Sequence, residues 1–151
     1  MNKAGLEGVI GYLRMVFPVS RRLVDQLPED KMGFRPTPES RSAAEIIAHN
    51  YTFLGDAADT AAKGEQVSST EPTFTSKADL LAYMDQRVAH FFSVWETLTD
   101  AHLAKAIAAY GQEFAGWQFI NFAYDEHWHH RGQFTVYLRL CGITPLMIYD
   151  Y

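Results

Sequence analysis

Four segments of this 151-residue chain carry apolar residues at helical spacing, and this pattern restricts the fold more than any other feature. They run from Leu6 to Leu27, from Ser42 to about Ala62, from Ser76 to Leu98, and from about Glu113 to Cys141. No stretch alternates apolar and polar residues over the length of a strand. Four long amphipathic helices without a sheet predict an all-α fold, a four-helix bundle.

Prolines, glycines and polar caps mark the ends of these helices. Pro28 ends the first helix, and Pro18 within it is expected to kink the helix or to split it. Ser42 and Glu45 have the S-x-x-E spacing of a capping box, in which each side chain accepts a hydrogen bond from the other residue's backbone N–H. Gly64 is expected to close the second helix.

The connections predict the topology. Residues 63–75 form a polar, irregular connector, and its dozen or so residues exceed the roughly two to eight that join simple antiparallel helices. We therefore expect a long crossover connection between the second and third helices, across the end of the bundle. Residues 101–110 fit either a short helix or part of a hairpin. The chain is short enough to form one domain, residues 1–151.

Charge and composition narrow the class of partner. The net charge is −5 and no cluster of Lys or Arg appears, which argues against broad nucleic-acid binding. No uncharged apolar run is long enough to span a membrane, and no signal peptide is recognisable. The single cysteine, Cys141, cannot form an internal disulfide, which fits a reducing compartment. We expect a soluble, cytoplasmic protein that acts on a small molecule.

Half of the six histidines fall within the eight residues from Glu126 to Gln133. On a helix Glu126 and His130 share a face, and so do His127 and His130, because residues three or four apart are neighbours. Imidazole binds zinc, nickel, iron or copper, and a carboxylate one turn away can join it. His49, near the middle of the second apolar helix, is the natural third ligand. Two helices of a bundle that present such side chains to one interior build metal sites.

Two ligand sets stay open at this point. If Glu126 and His130 face inward, the site is His49, Glu126 and His130; if the face that carries His127 and Arg131 turns inward, His127 replaces Glu126. A plainer interpretation is a solvated polar face on which Glu126 forms a weak ion pair with His130 or Arg131. A lone histidine such as His49 is often a hydrogen-bonded core residue.

The chain resembles the DinB-like (DinB/YfiT) superfamily. The resemblance rests on the segment 42–50 that contains His49, and on the late His-Arg-Gly-Gln from His130 to Gln133. Residues 137–143, Pro145, and Phe34-Arg35-Pro36 ahead of the second helix add to it. These motifs are moderately specific, and they span essentially the whole chain in order and spacing.

The resemblance implies a four-helix bundle with an unusual crossover order and a divalent metal, commonly zinc or nickel, held by three histidines. The usual pattern places one histidine on the second helix and a His-x-x-x-His pair on the last. Here His130 matches the second member of that pair, but the position four residues earlier is Glu126. Either the carboxylate replaces imidazole, which shifts the preference toward iron or manganese, or His127 substitutes, or the site is weakened. We favour the carboxylate of Glu126 as the third ligand.

Members of known activity resemble thiol-dependent transferases that use a low-molecular-weight thiol. The resemblance therefore implies a metal-dependent enzyme that activates such a thiol, or water, toward a small-molecule substrate. Arg131 is a candidate for binding a carboxylate of the thiol cofactor. Homodimerisation is expected from the family and from the apolar content. The alternative is a non-catalytic, stress-related binding protein or dimeric interaction protein with a vestigial metal site.

Overall fold

A computed structural model describes residues 1–151, and its four long helices pack around one hydrophobic core. The predicted all-α helical bundle is confirmed. None of the helices combines the length and the hydrophobicity that crossing a bilayer requires. The elements are α1 Lys3–Asp25, a 3₁₀ turn Glu29–Lys31, α2 Ala43–Lys63, α3 Lys77–Thr97, α4 Asp100–Ala104, β1 Ala106–Ala109, β2 Gln112–Ala115 and α5 Gly116–Leu140.

Local signals set the ends of α2 as the sequence predicts. The hydroxyl of Ser42 accepts a hydrogen bond from the Glu45 N–H at 3.2 Å, and the Glu45 carboxylate accepts one from the Ser42 N–H at 2.9 Å. Gly64 ends the helix with a φ of +71°, a conformation that residues with a Cβ rarely adopt. In α1, Pro18 lies inside one continuous helix, so the expected split does not occur.

Helices α2 and α3 are neighbours that run in the same direction. Three side-chain pairs join them in the same order along both helices: Thr52 with Tyr83, Asp56 with Arg87, and Asp59 with His90. Consecutive parallel helices require the chain to return along the bundle, and the 21 residues of α2 span about 31 Å. Residues 64–76 can cover about 43 Å when extended. The predicted crossover is present, and it runs along the bundle and not across its end.

This returning connector is attached to α2 at several points. Ser69 donates its backbone N–H and its hydroxyl to the Asp56 carboxylate, at 2.6 and 2.8 Å. Arg87 donates to the same carboxylate at 3.2 Å, so one buried acid joins α2, α3 and the connector. Two residues further along, Glu71 reaches His49 at 2.6 Å. The connector is therefore a fixed wall beside α2.

The sequence of the segment between α3 and α5 fits either a short helix or part of a hairpin. The structure contains both, the short helix α4 and a hairpin. Strands β1 and β2 pair antiparallel, with Ala109 opposite Gln112. The two turn residues, Tyr110 and Gly111, have φ values of +51° and +76°, as in a type I′ hairpin turn. The prediction that α5 begins near Glu113 was wrong, because residues 112–115 belong to β2. The Ala-Ile-Ala-Ala sequence of β1 has no alternation that would have predicted a strand.

Replacing Asp56 with Ala is expected to lower the free energy of unfolding by about 3 kcal/mol, because it leaves a partly buried Arg87 without its carboxylate and frees the connector. Chemical denaturation measures this change. The matched control is Asp59→Ala, three residues along the same helix, which removes only a more exposed pair with His90 and should change stability by less than about 1 kcal/mol. Equal losses in the two variants would contradict this role of Asp56.

Candidate metal centre

His49 on α2 and the pair Glu126 and His130 on α5 converge at one point. One potential ligand atom from each residue lies within 4.8 Å of the other two. Two ligands of one metal ion lie at most about 4.2 Å apart, twice a bond of about 2.1 Å. A small contraction of the group would therefore bring all three atoms within reach of one metal ion. Of the two ligand sets, the structure brings together the one that contains Glu126.

His130 faces an oxygen atom on each side of its ring. Its Nδ1 lies 2.8 Å from Oε1 of Gln133, and its Nε2 lies 2.9 Å from Oε2 of Glu126. Burial lowers the pKa of His130, and the hydrogen bond to Gln133 opposes this only in part. A neutral imidazole has one N–H and can donate to only one of these oxygens. A divalent metal held by His130 and Glu126 would satisfy both atoms and would leave the Nδ1 proton for Gln133.

His49 has the same kind of support from a different element. Its Nδ1 lies 2.6 Å from Oε1 of Glu71 in the connector, which leaves Nε2 free. The rings of His49 and His130 are perpendicular, with centroids 4.8 Å apart. Carboxylates that accept from the second nitrogen of a histidine orient it for a metal. Sequence reasoning missed Glu71, because it lies in an irregular segment where no spacing connects it to His49.

A cavity of about 640 Å³ opens beside these residues, and His49 and Glu126 line it. Its aromatic walls are Phe53 from α2, Phe122 from α5 and Phe114 from the hairpin. The connector and the turn residue Tyr110 supply the remaining sides. Small-molecule sites usually occupy roughly 300–1,000 Å³. His49, Glu126 and His130, together called the donor group, therefore lie at the edge of a space that can hold a small ligand.

His127 does not join this group. It is 2% exposed, its Nε2 lies 3.0 Å from the Ser20 hydroxyl, and its ring packs edge-on against Phe17 of α1. Successive residues of a helix are about 100° apart, so His127 and Glu126 face different neighbours. The structure thus places His127 in the core between α1 and α5.

Arg131 also lies away from the donor group and does not line the cavity. Its Nη2 donates to the carbonyl oxygen of Ile148 at 2.7 Å, and its guanidinium lies 4.4 Å from the ring centre of Trp128. The bond to Ile148 holds the C-terminal segment against α5. The role predicted for Arg131 in binding a thiol cofactor stays a prediction.

Comparison with known proteins agrees with this architecture. Residues 13–134 match the model of the DinB superfamily, and the chain belongs to that superfamily. It is 25% identical over 135 residues to the uncharacterized protein YjoA of Bacillus subtilis, with 87% of this chain and 88% of YjoA covered. The crystal structure of that DinB-like protein has a TM-score of 0.73, at 89% and 91% coverage.

Two other solved structures share the fold at lower identity. A DinB-like protein from Bacillus cereus is 18% identical, with a TM-score of 0.78 and coverage of 95% of this chain and 97% of that one. A mycothiol-dependent maleylpyruvate isomerase is 15% identical, with a TM-score of 0.65. The match covers 84% of this chain and 59% of the isomerase.

The metal-free protein is expected to lose stability in acid through His127. Burial lowers the pKa of His127 to about 3, whereas the unfolded chain has the ordinary value of 6.5. The unfolded state therefore binds more protons below about pH 6.5, and the free energy of unfolding falls there by up to about 1.4 kcal/mol per pH unit. In His127→Phe this slope should be shallower, while Ser20 keeps its bond to the Val16 carbonyl oxygen. Urea unfolding at several pH values, with a chelator present, measures the slope for wild type and for His127→Phe. Identical slopes would contradict the assignment of this acid sensitivity to His127.

Proposed function

We propose that this chain is a divalent-metal-dependent enzyme that activates a low-molecular-weight thiol, or water, for attack on an electrophilic small molecule. The observation that carries the proposal is the convergence of His49, Glu126 and His130 at the edge of the cavity. A divalent metal held by these residues would keep an open position and would lower the pKa of a coordinated thiol or water.

The side chains around the group have separate tasks. Glu71 and Gln133 hold Nδ1 of the two histidines, which fixes the direction in which each Nε2 points. The aromatic walls would hold the apolar part of a substrate. In S-transfer the thiol proton passes to a solvent molecule at the open side of the cavity. The sulfur then forms a bond to the electrophilic carbon, and the leaving group departs with its electron pair.

Membership of the DinB superfamily supports a metal enzyme, and a structural relative that depends on mycothiol supports a thiol as the ligand. Zinc and nickel are the metals that the family resemblance implies. The carboxylate of Glu126 is a harder ligand than imidazole and makes iron or manganese a candidate as well. Homodimerisation stays a prediction.

Protein purified without an affinity tag should bind about one divalent metal ion per chain. The variants His49→Ala and His130→Ala should lose it, whereas His90→Ala should keep it, because His90 pairs with Asp59 away from the group. Elemental analysis measures the content. If the protein contains no metal, and added Zn²⁺, Ni²⁺, Mn²⁺ or Fe²⁺ leaves its melting temperature unchanged, the vestigial-site alternative is correct.

Replacing Glu71 with Gln is expected to weaken metal binding by about tenfold to a hundredfold, because His49 loses the carboxylate that orients its ring. Competition with a chromogenic chelator measures the dissociation constant. Glu65→Gln is the matched control, since Glu65 is an exposed residue of the same connector that does not line the cavity. Equal dissociation constants for the two variants would exclude a supporting role for Glu71.

A further inference from the structure

We infer that the cavity beside the donor group selects ligands that carry a positive charge, such as an amine, over ligands that carry a carboxylate. This inference rests on the proposed function, because it concerns the ligand class of the same site. It follows from the charges that line the cavity, from their partners, and from the aromatic walls.

All charged side chains that line the cavity, other than His49, are acidic: Asp56, Glu71, Asp125 and Glu126. No Lys or Arg lines it. A carboxylate ligand would therefore find no cationic side chain to pair with and would meet like charges, which disfavour its entry. A cationic ligand would meet opposite charges on several sides.

The two arginines that pair with these acids lie behind them. Arg87 donates to Asp56 at 3.2 Å from α3, and Arg41 lies 3.6 Å from Glu71. Neither arginine lines the cavity. Both therefore neutralise part of the charge without offering a donor to the ligand.

Asp125 has no such partner. Its side chain is exposed and forms no ion pair and no hydrogen bond within the chain. It precedes Glu126 on α5 and lines the same cavity. Its charge is therefore available to a ligand, and it can be removed without breaking an internal contact.

A bound divalent cation does not reverse this preference. Four carboxylates contribute −4, the two arginines +2 and the cation +2, so the formal sum around the cavity is zero. An ionised thiol then adds −1. A positive group elsewhere on the ligand restores neutrality, whereas a second negative group increases the imbalance.

The walls suit a cation as well. Phe53, Phe114, Phe122 and Tyr110 line the cavity, and the face of an aromatic ring attracts an ammonium group. Tyr110 is the one non-glycine residue with a positive φ, +51°. A bulky residue in this conformation is strained, and such strain is often found at binding sites. Here the strained turn holds an aromatic ring at the cavity.

Binding of three small thiols to the Co²⁺-loaded protein tests the inference. Cysteamine carries a positive charge, 2-mercaptoethanol is neutral, and 3-mercaptopropionate carries a negative charge. The sulfur-to-cobalt charge-transfer absorption reports the dissociation constant of each thiol directly. Because the three thiols differ in acidity, the quantity compared between proteins is the ratio of the 3-mercaptopropionate constant to the cysteamine constant.

Asp125→Asn should lower this ratio by about threefold to tenfold, because it removes one unpaired charge at the cavity. Glu7→Gln removes the same charge from an exposed position on α1, outside the cavity, and should leave the ratio unchanged. Tyr110→Gly permits the positive φ and so keeps the hairpin, but it should weaken cysteamine binding by about threefold through loss of the ring.

The outcomes separate the two proposals. If every thiol gives the charge-transfer band but the ratio is the same in wild type and Asp125→Asn, the charge preference is wrong and thiol binding at the metal stands. If the metal-loaded protein gives no band with any thiol, thiol activation is wrong, and the preference inferred for its ligand is overturned with it.

Discussion

The parallel direction of α2 and α3 is the constraint on which the rest of the structure depends. It forces the intervening chain to return along the bundle, and the Asp56 carboxylate attaches that chain to α2 while it also binds Arg87 of α3. The returning segment then supplies Glu71, which holds His49. A topological requirement thus produces one wall of the cavity and the orientation of one proposed metal ligand. An antiparallel connection by a short loop would provide neither.

Helix α5 has two buried sides, because it packs against both α2 and α1. The side that carries Glu126 and His130 faces α2 and the cavity, where charged and polar atoms remain accessible. The side that carries His127 and Arg131 faces α1 and the C-terminal segment, where each has a protein partner. One histidine-rich turn therefore serves two separate environments, and only one of them has donor atoms left for a metal.

The cavity combines two properties that the proposed chemistry on a small thiol requires. A donor group with fixed nitrogen atoms lies at its edge, and acidic and aromatic side chains surround the space beside it. The first property concerns activation of the nucleophile, and the second concerns which molecule enters. The donors come from α2 and α5 alone, whereas the wall also includes residues of the connector and the hairpin. Variation in those two segments can change the ligand without changing the donors.

The sequence by itself determined the features that depend on neighbours within one or two helical turns. These are the four long helices, the Ser42–Glu45 cap, the end of α2 at Gly64, and the shared face of Glu126 and His130. The tertiary structure alone decided that Glu126, and not His127, lies beside His49, because both faces of α5 are inward and only the positions of α1 and α2 distinguish them. It also decided the pairing of Glu71 with His49, 22 residues apart, and the hairpin of residues 106–115. Such contacts are formed through space between elements, and local periodicity and capping carry no information about them.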